Sequence, residues 1–412
     1  MNRDAIVVLL TWLQCSDDDS RFWWRETAPF LGIILDKAGY TIHSQYSALL
    51  FHFGQVVPHL GPRPSNGNPH WRSFMTDDFS PIEYSWAWES IDSPPKVRYS
   101  VEPIGKLAGS KEDPLNKLVT FQVLNSLRAT FADTNLGLFD YFRDKITKNV
   151  GKDTIVGNKQ LEWTGQDLFG FGFGFDEDRI DIKGYIGCEE TIRSSWYMVQ
   201  LLSDAMLNLD GNILRHEAGS LLSQYLANDT KGRDLQYIGV GIDCVEPAET
   251  RLKVYLRSPL TSIASFRSIL TMGGRYPGKW SSNLLDELED MYRSIISISD
   301  ATGDVTRPVN NKTAGILYNF DIQYGSGNPL SKIYIPVRHY GTSDFEVARG
   351  LTEFRRRHGH NHTGDSYMDM LQTVCEEHRL KNGLGLQTYI SVVPKNGNLA
   401  ITAYLSPQMF SK

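Results

Sequence analysis

A chain of 412 residues, 41% hydrophobic and 22% charged, is large enough to bury a sizeable core and has the balance of an ordinary globular protein. Its formal net charge of -6 and pI near 6.0 argue against a general nucleic-acid or anionic-membrane binder, so a local cationic face needs its own explanation. Four cysteines (Cys15, Cys188, Cys244, Cys375) stand far apart with no CxxC; this suggests neither a disulfide framework nor a zinc site and fits a reducing, cytoplasmic setting.

The first apolar run, AIVVLLTWL (5–13), is short, lacks a basic start and a small-residue cleavage site, and leads into CSDDDS, so it reads as a helix. No later span is long enough to cross a membrane. SDDDSRFWWRETAPFLGIILDKAGY (16–40) predicts a second helix with Ser16 as N-cap, acids in its first turn and Gly39 as its stop. GPRPSNGNPH (61–70) reads as a surface loop and KVRYSVEPI (96–104) as a strand. DPLNKLVTFQVLNSLRATF (113–131) predicts a helix capped by Asp113, with Pro114 at its first position.

Strands then come in pairs: LFGFGFGF (168–175) with RIDIKGYIG (179–187), LQYIGVGIDCVE (235–246) with TRLKVYLRS (250–258), GILYNFDIQYG (315–325) with SKIYIPVRHY (331–340), and LQTYISVVP (386–394) with NLAITAYLS (398–406). Each pair is joined by a short polar turn, as an antiparallel hairpin requires. Between the pairs, segments 189–209, 281–295, 345–359 and 366–378 carry apolar residues at helical spacing, and 299–313 reads as a second surface loop. Helices followed by two strands, repeated about five times, do not suit a parallel doubly wound sheet. Neither loop separates two composition regimes, which favours one domain.

The strands alternate in an unusual way. In RLKVYLRS, Arg251, Lys253, Tyr255 and Arg257 share one face, while Leu252, Val254 and Leu256 take the other. Lys183 shares a face with Tyr185 and Lys332 with Tyr334; Arg98 sits beside valine and tyrosine, and the last hairpin adds Tyr389, Tyr404 and Lys395 at its turn. For any one strand, an outward solvated face explains a base. If every hairpin turns this face inward, the strands close a barrel with a polar, cationic lumen and apolar backs packed under helices. Such a lumen suits a compact anion such as diphosphate. Tyrosine rings attract cations, by about 0.5–2 kcal/mol per desolvated contact, so together they describe an ionising allylic diphosphate.

In this order, SPIEYSW (80–86), VRYSVEPIG (97–105), KGY (183–185), RLKVY (251–255), KIYIPV (332–337), LTEFRRRHG (351–359) and TYISVVPKNGNLAITAYLSP (388–407) resemble the fungal aromatic prenyltransferases of the dimethylallyltryptophan synthase type. The resemblance runs over nearly the whole chain. It implies the α/β ABBA or PT barrel: about ten antiparallel strands around a solvent-filled lumen, ringed by helices in ααββ repeats, as a single domain over 1–412. Arg98, Lys183, Arg251, Lys253, Lys332 and Lys395 look like that family's diphosphate clamp, Lys332 being a position that varies there between lysine and glutamine. Tyr185, Tyr255, Tyr334, Tyr389 and Tyr404 look like its tyrosine shield, and Glu83 matches the glutamate that accepts an indole N–H.

The implied chemistry is electrophilic aromatic substitution from dimethylallyl or geranyl diphosphate, with no cofactor and no metal. The implied acceptor is an indole-containing metabolite such as an indole alkaloid or indole diterpene, or else a phenolic polyketide of xanthone or naphthacene type. Expected partners are small molecules only, with no nucleic acid and no membrane, and the protein as monomer or homodimer. Tryptophan-specific members keep a lysine that spacing places near Gly170, so free tryptophan is disfavoured as acceptor. On that strand Phe169, Phe171, Phe173 and Phe175 share one face and Gly170, Gly172 and Gly174 the other. A glycine face turned inward leaves room for a bulky acceptor.

Three motifs are set aside. SDDDS lacks the spacing of an aspartate-rich metal motif, since three consecutive acids point three ways around a helix start, and capping explains them. His358, His360 and His362 follow a basic helix and read as a solvated helix exit before a metal site. GFGFG lacks GxGxxG spacing, and there is no Walker motif. The competing class is a phospho-ligand or single-stranded nucleic-acid binding barrel, and a catalytically silent scaffold is the third.

Overall fold

The computed structural model describes residues 4–91, 93–131, 134–150, 155–156, 159–160, 167–176, 179–188, 194–209, 216–276, 278–299, 303–306, 309–323, 325–359 and 364–411. Ten antiparallel strands close a barrel: β1 (Ile82–Trp88), β2 (Lys96–Val101), β3 (Asp167–Asp176), β4 (Arg179–Cys188), β5 (Gln236–Asp243), β6 (Arg251–Ser258), β7 (Ile316–Gln323), β8 (Leu330–Ile335), β9 (Gln387–Lys395) and β10 (Asn398–Leu405). From β2 to β10 each strand pairs with the next in the chain, and β1 seals the ring by pairing with β2 on one side and β10 on the other. Tyr84 stands opposite Leu405 and Trp88 opposite Ile401 across that seam.

Helices precede each hairpin: α1 (Ala5–Trp12), α2 (Asp18–Lys37) and α3 (Ile42–Phe51) before β1, then α4 (Leu118–Thr130) and α5 (Gly137–Val150) before β3. The later groups begin with α6 (Ser195–Leu207), α7 (His216–Asn228) and the single turn α8 (Thr230–Arg233). They continue with α9 (Ile263–Leu270) and α10 (Ser282–Ile295), and end with α11 (Val337–Tyr340), α12 (Asp344–Arg357), α13 (Gly364–Val374) and α14 (Glu377–Asn382). None of the described helices is long and apolar enough to cross a membrane.

Strand alternation places the core outside the barrel. Tyr84, Trp86 and Trp88 of β1, Leu252, Val254 and Leu256 of β6, and Tyr318, Phe320 and Ile322 of β7 are all buried under the helical ring. The β3 phenylalanines join them: Phe51 of α3 meets Phe173 edge-on with centroids 4.9 Å apart, and Phe139 of α5 lies 5.9 Å from Phe171. Gly184 on β4 is the position that admits Phe139, because a Cβ there would stand 2.3 Å from the ring.

Two helix starts differ from expectation. Asp17, not Ser16, caps α2, its carboxylate accepting from the Ser20 N–H; that bond and the Lys106 ammonium hold its carboxyl down at about 2. The helix after Pro114 begins only at Leu118, because Asn116 takes a positive φ of 53° and breaks the turn. Asp113 still accepts from the Lys117 and Leu118 N–H groups, so it caps from a distance.

Candidate active site

The polar faces of the strands enclose a lumen of about 620 Å³. Among the described residues nine basic and five acidic side chains line it, including Arg98, Lys183, Arg251, Lys253, Lys332 and Lys395. Register brings these together. Lys183 on β4 stands opposite Asp243 on β5, and Lys253 on β6 stands between Gly241 on β5 and Asp321 on β7. Asp243 accepts from Lys253 Nζ at 2.5 Å and from Arg251 Nε at 2.6 Å, and Asp321 stands 3.6 Å from Arg251. At the rim Glu89 pairs with both Arg98 and Lys395, the latter at 2.9 Å. Lys395 is thus half exposed, whereas Lys253 is buried.

The electrostatics follow from this crowding. Burial, then the charges of Lys253 and Arg98, push Lys183 down to about 7, and burial with Arg98 does the same to Lys332. Asp243 is driven far below the usual carboxylate range, the charges of Lys253 and Arg251 overcoming its burial.

Two residues along each of three strands stands a tyrosine, so Tyr185, Tyr255 and Tyr334 form the next tier, joined by Tyr404 of β10. The rings follow one another around the wall: Tyr185 to Tyr255 at 6.3 Å, Tyr255 to Tyr334 at 6.1 Å, Tyr334 to Tyr404 at 5.7 Å. Lys332 Nζ lies 4.8 Å from the Tyr334 centroid, which links the two tiers.

The glycine face of β3 does point inward, but neighbouring side chains fill the space it leaves. A Cβ on Gly172 would stand 3.0 Å from Tyr185 Oη, and one on Gly174 would stand 3.3 Å from Arg98 Cγ. Gly241 of β5 plays the same part between Tyr185 and Tyr255, at 3.0 and 3.3 Å. Small residues on β3 and β5 therefore let large ones on their neighbours lean across the wall.

Glu83 and Tyr389 lie toward the other end of the barrel. Glu83 faces Ser100 of β2 and accepts from Thr388 Oγ1 at 2.6 Å; burial pushes its carboxyl up to about 7, against the pull of that hydrogen bond and of Arg338. Tyr389 lies 6.5 Å from Tyr334, its ring under the Arg338 guanidinium at 4.4 Å, and its hydroxyl accepts from Arg338 at 2.8 Å and Arg257 at 3.4 Å. Arg338 also reaches Asp77 at 3.0 Å, and Arg257 donates to the Thr313 and Ala314 carbonyls. A cavity of about 220 Å³ borders Arg338, Asp77 and Thr388 there.

Ten of the twelve expected site residues thus line one lumen, with Glu83 and Tyr389 beyond its tyrosine tier. Sequence reasoning missed the carboxylates Asp243, Asp321 and Glu89; the inward alternation of GIDC and FDIQ carries the signal for the first two. Arg257 shares the face of Lys253 as expected, yet sits at the Glu83 end. His358 pairs with Asp290 at 3.0 Å, while His360 and His362 lie outside the described residues. Among the described residues no group of three or more His, Cys, Asp or Glu stands close enough to hold a metal ion.

Comparison with known proteins agrees with this architecture. The family described as tryptophan dimethylallyltransferase matches residues 19–370. Prenyltransferase anuH of Penicillium roqueforti is 32% identical, over 98% of this chain and 93% of its own. The 4-O-dimethylallyl-L-tyrosine synthase of Claviceps purpurea is 30% identical, over 94% of this chain and 88% of its own. The crystal structure of AnaPT from Neosartorya fischeri superposes with a TM-score of 0.81 at 22% identity, covering 98% of each chain.

Proposed function

Since this chain belongs to the tryptophan dimethylallyltransferase family, and so transfers prenyl groups to aromatic acceptors, we propose that its lumen takes dimethylallyl or geranyl diphosphate without a metal ion. The single observation that carries this reading is the cationic tier set directly against a tyrosine tier in the lumen of one closed barrel.

Arg98, Lys183, Arg251, Lys253 and Lys332 hold the diphosphate, with Lys395 at the mouth. As the allylic C–O bond breaks, its electron pair leaves with the diphosphate, and these cations stabilise the charge that develops there. The allylic cation then faces Tyr185, Tyr255, Tyr334 and Tyr404, whose rings attract it and keep water from its carbon. An electron-rich ring carbon supplies a π pair to form the new C–C bond, and loss of its proton restores aromaticity. Glu83 accepts the acceptor's N–H or O–H, which orients the ring and raises its electron density. Tyr389, held by two arginines, forms the wall between Glu83 and the shield. Gly170 offers no base, so the ring proton leaves by another group.

For the acceptor we favour an indole compound without a free carboxylate. Arg257 and Arg338, which reach the Tyr389 hydroxyl toward the Glu83 end, are engaged by backbone carbonyls, Asp77 and Tyr389. The relative named 4-O-dimethylallyl-L-tyrosine synthase supports a second reading, a phenolic acceptor. The test is mass spectrometry of products from purified protein, a chelator, either prenyl diphosphate, and a panel of free tryptophan, cyclic indole dipeptides and polycyclic phenols. A prenyl mass shift with chelator present is expected first for the indole dipeptides. Turnover only when magnesium is restored, or only with free tryptophan, would refute the reading.

A further inference from the structure

Five carboxylates in a lumen proposed to bind an anion need an explanation, and Asp243 is the most deeply placed of those that touch the clamp. Its side chain is 9% exposed and stands opposite Lys183 in the β4–β5 register. It bonds Lys253 and Arg251 at 2.5 and 2.6 Å. We propose that Asp243 is a positioning residue, which holds Lys183, Arg251 and Lys253 together as a pre-formed cationic cradle for the diphosphate. This rests on the clamp assignment above.

The simple Coulomb expectation runs the other way: removing a negative charge from an anion site should tighten binding. Two features oppose it. Cations this close repel one another, and removing one member of a buried charge cluster leaves the others uncompensated. Lys183 is already close to losing its proton, and Asp243 is the neighbour that favours its charged form, against Lys253, Arg98 and Arg251. Around this cluster stand Asp321 on β7, Lys332 on β8, and the Tyr185 and Tyr255 rings, with Cys244 buried behind. Asp321 lies 3.6 Å from Arg251 and opposite Lys253 in register, so it does not replace Asp243 beside Lys183.

The test is calorimetric titration of the whole protein with inorganic diphosphate and with dimethylallyl diphosphate, from about pH 6 to about pH 9, for the native protein, Asp243→Asn, Asp243→Glu and Lys253→Ala. Asp243→Asn should weaken binding by about tenfold near pH 7.5, and by less near pH 6, since Lys183 then sheds its proton at lower pH. Asp243→Glu, one methylene longer, should restore the native pH dependence at a severalfold weaker affinity. Equal or tighter binding by Asp243→Asn at every pH, or a loss that is the same at every pH, would overturn the proposal. Should Asp243→Asn fail to fold, Asp243→Glu decides alone: the severalfold loss with native pH dependence supports the proposal, and unchanged affinity refutes it. If Lys253→Ala binds like the native protein, the clamp assignment itself falls.

Discussion

Raising the pH should switch donor capture off over a narrow range, because two lysines facing the lumen sit near their proton-loss point. Lys183 and Lys332 are each pushed down to about 7, chiefly by burial. A lysine grips diphosphate as the ammonium, so the sign is fixed: the charged form dominates below about pH 7 and is lost above it. Treated as independent sites, about a quarter of the molecules carry both charges at pH 7 and about 1% at pH 8. The kcat/KM for dimethylallyl diphosphate should therefore fall about thirtyfold over that unit and about a hundredfold per unit beyond it. The assay is initial rate against donor concentration at saturating acceptor across the range. Lys332→Gln should soften the alkaline limb to about tenfold per unit, the signature of one remaining titrating lysine. A profile flat to about pH 9 would refute the reasoning, since it would mean that neither lysine must hold its proton for capture.

Glu83→Gln should leave donor KM unchanged while lowering turnover of an indole acceptor by about a hundredfold. The native kcat/KM for acceptor should rise with pH through about 7, as the Glu83 carboxylate forms, and that limb should vanish in the variant; a limb that persists argues against Glu83. Tyr255→Phe should change the ratio of prenyl transfer to donor hydrolysis little, because the ring face remains, whereas Tyr255→Leu should shift it toward hydrolysis by up to about thirtyfold; equal ratios in the two variants would remove the shield role. Gly184→Ala drives a Cβ to 2.3 Å from Phe139, so it should lower stability by about 1–3 kcal/mol, read as a fall in Tm, and an unchanged Tm would show that α5 shifts freely.

Much of this arrangement is legible in the residues themselves. Strands β2 to β10 announce themselves by alternation and by hairpin turns, and the step of two residues from Lys183 to Tyr185 or Lys332 to Tyr334 already contains the two tiers. The closure of β1 on β10 is harder to see, because it joins residues more than 300 apart and, unlike the β1–β2 hairpin, no local turn reports it. The counter-charges are hidden too. Asp243 meets Lys183 only across strands, and the pairing of Glu89 with both Arg98 and Lys395 depends on the seam. The roominess expected over the β3 glycines is absent for a related reason: which neighbour leans into a gap is set by cross-strand register, not by the strand's own sequence.

The seam between β1 and β10 has a consequence for how the molecule comes to exist. Strand β1 must wait for one made more than 300 residues later before its second edge is covered. Contacts of such long sequence separation are slow to form, and until they do β1 presents unpaired backbone groups beside three aromatic side chains. The ring therefore cannot be assembled piecemeal: a chain cut before residue 398 leaves both β1 and β9 with open edges, and the lumen, with every charge that lines it, stays open to water.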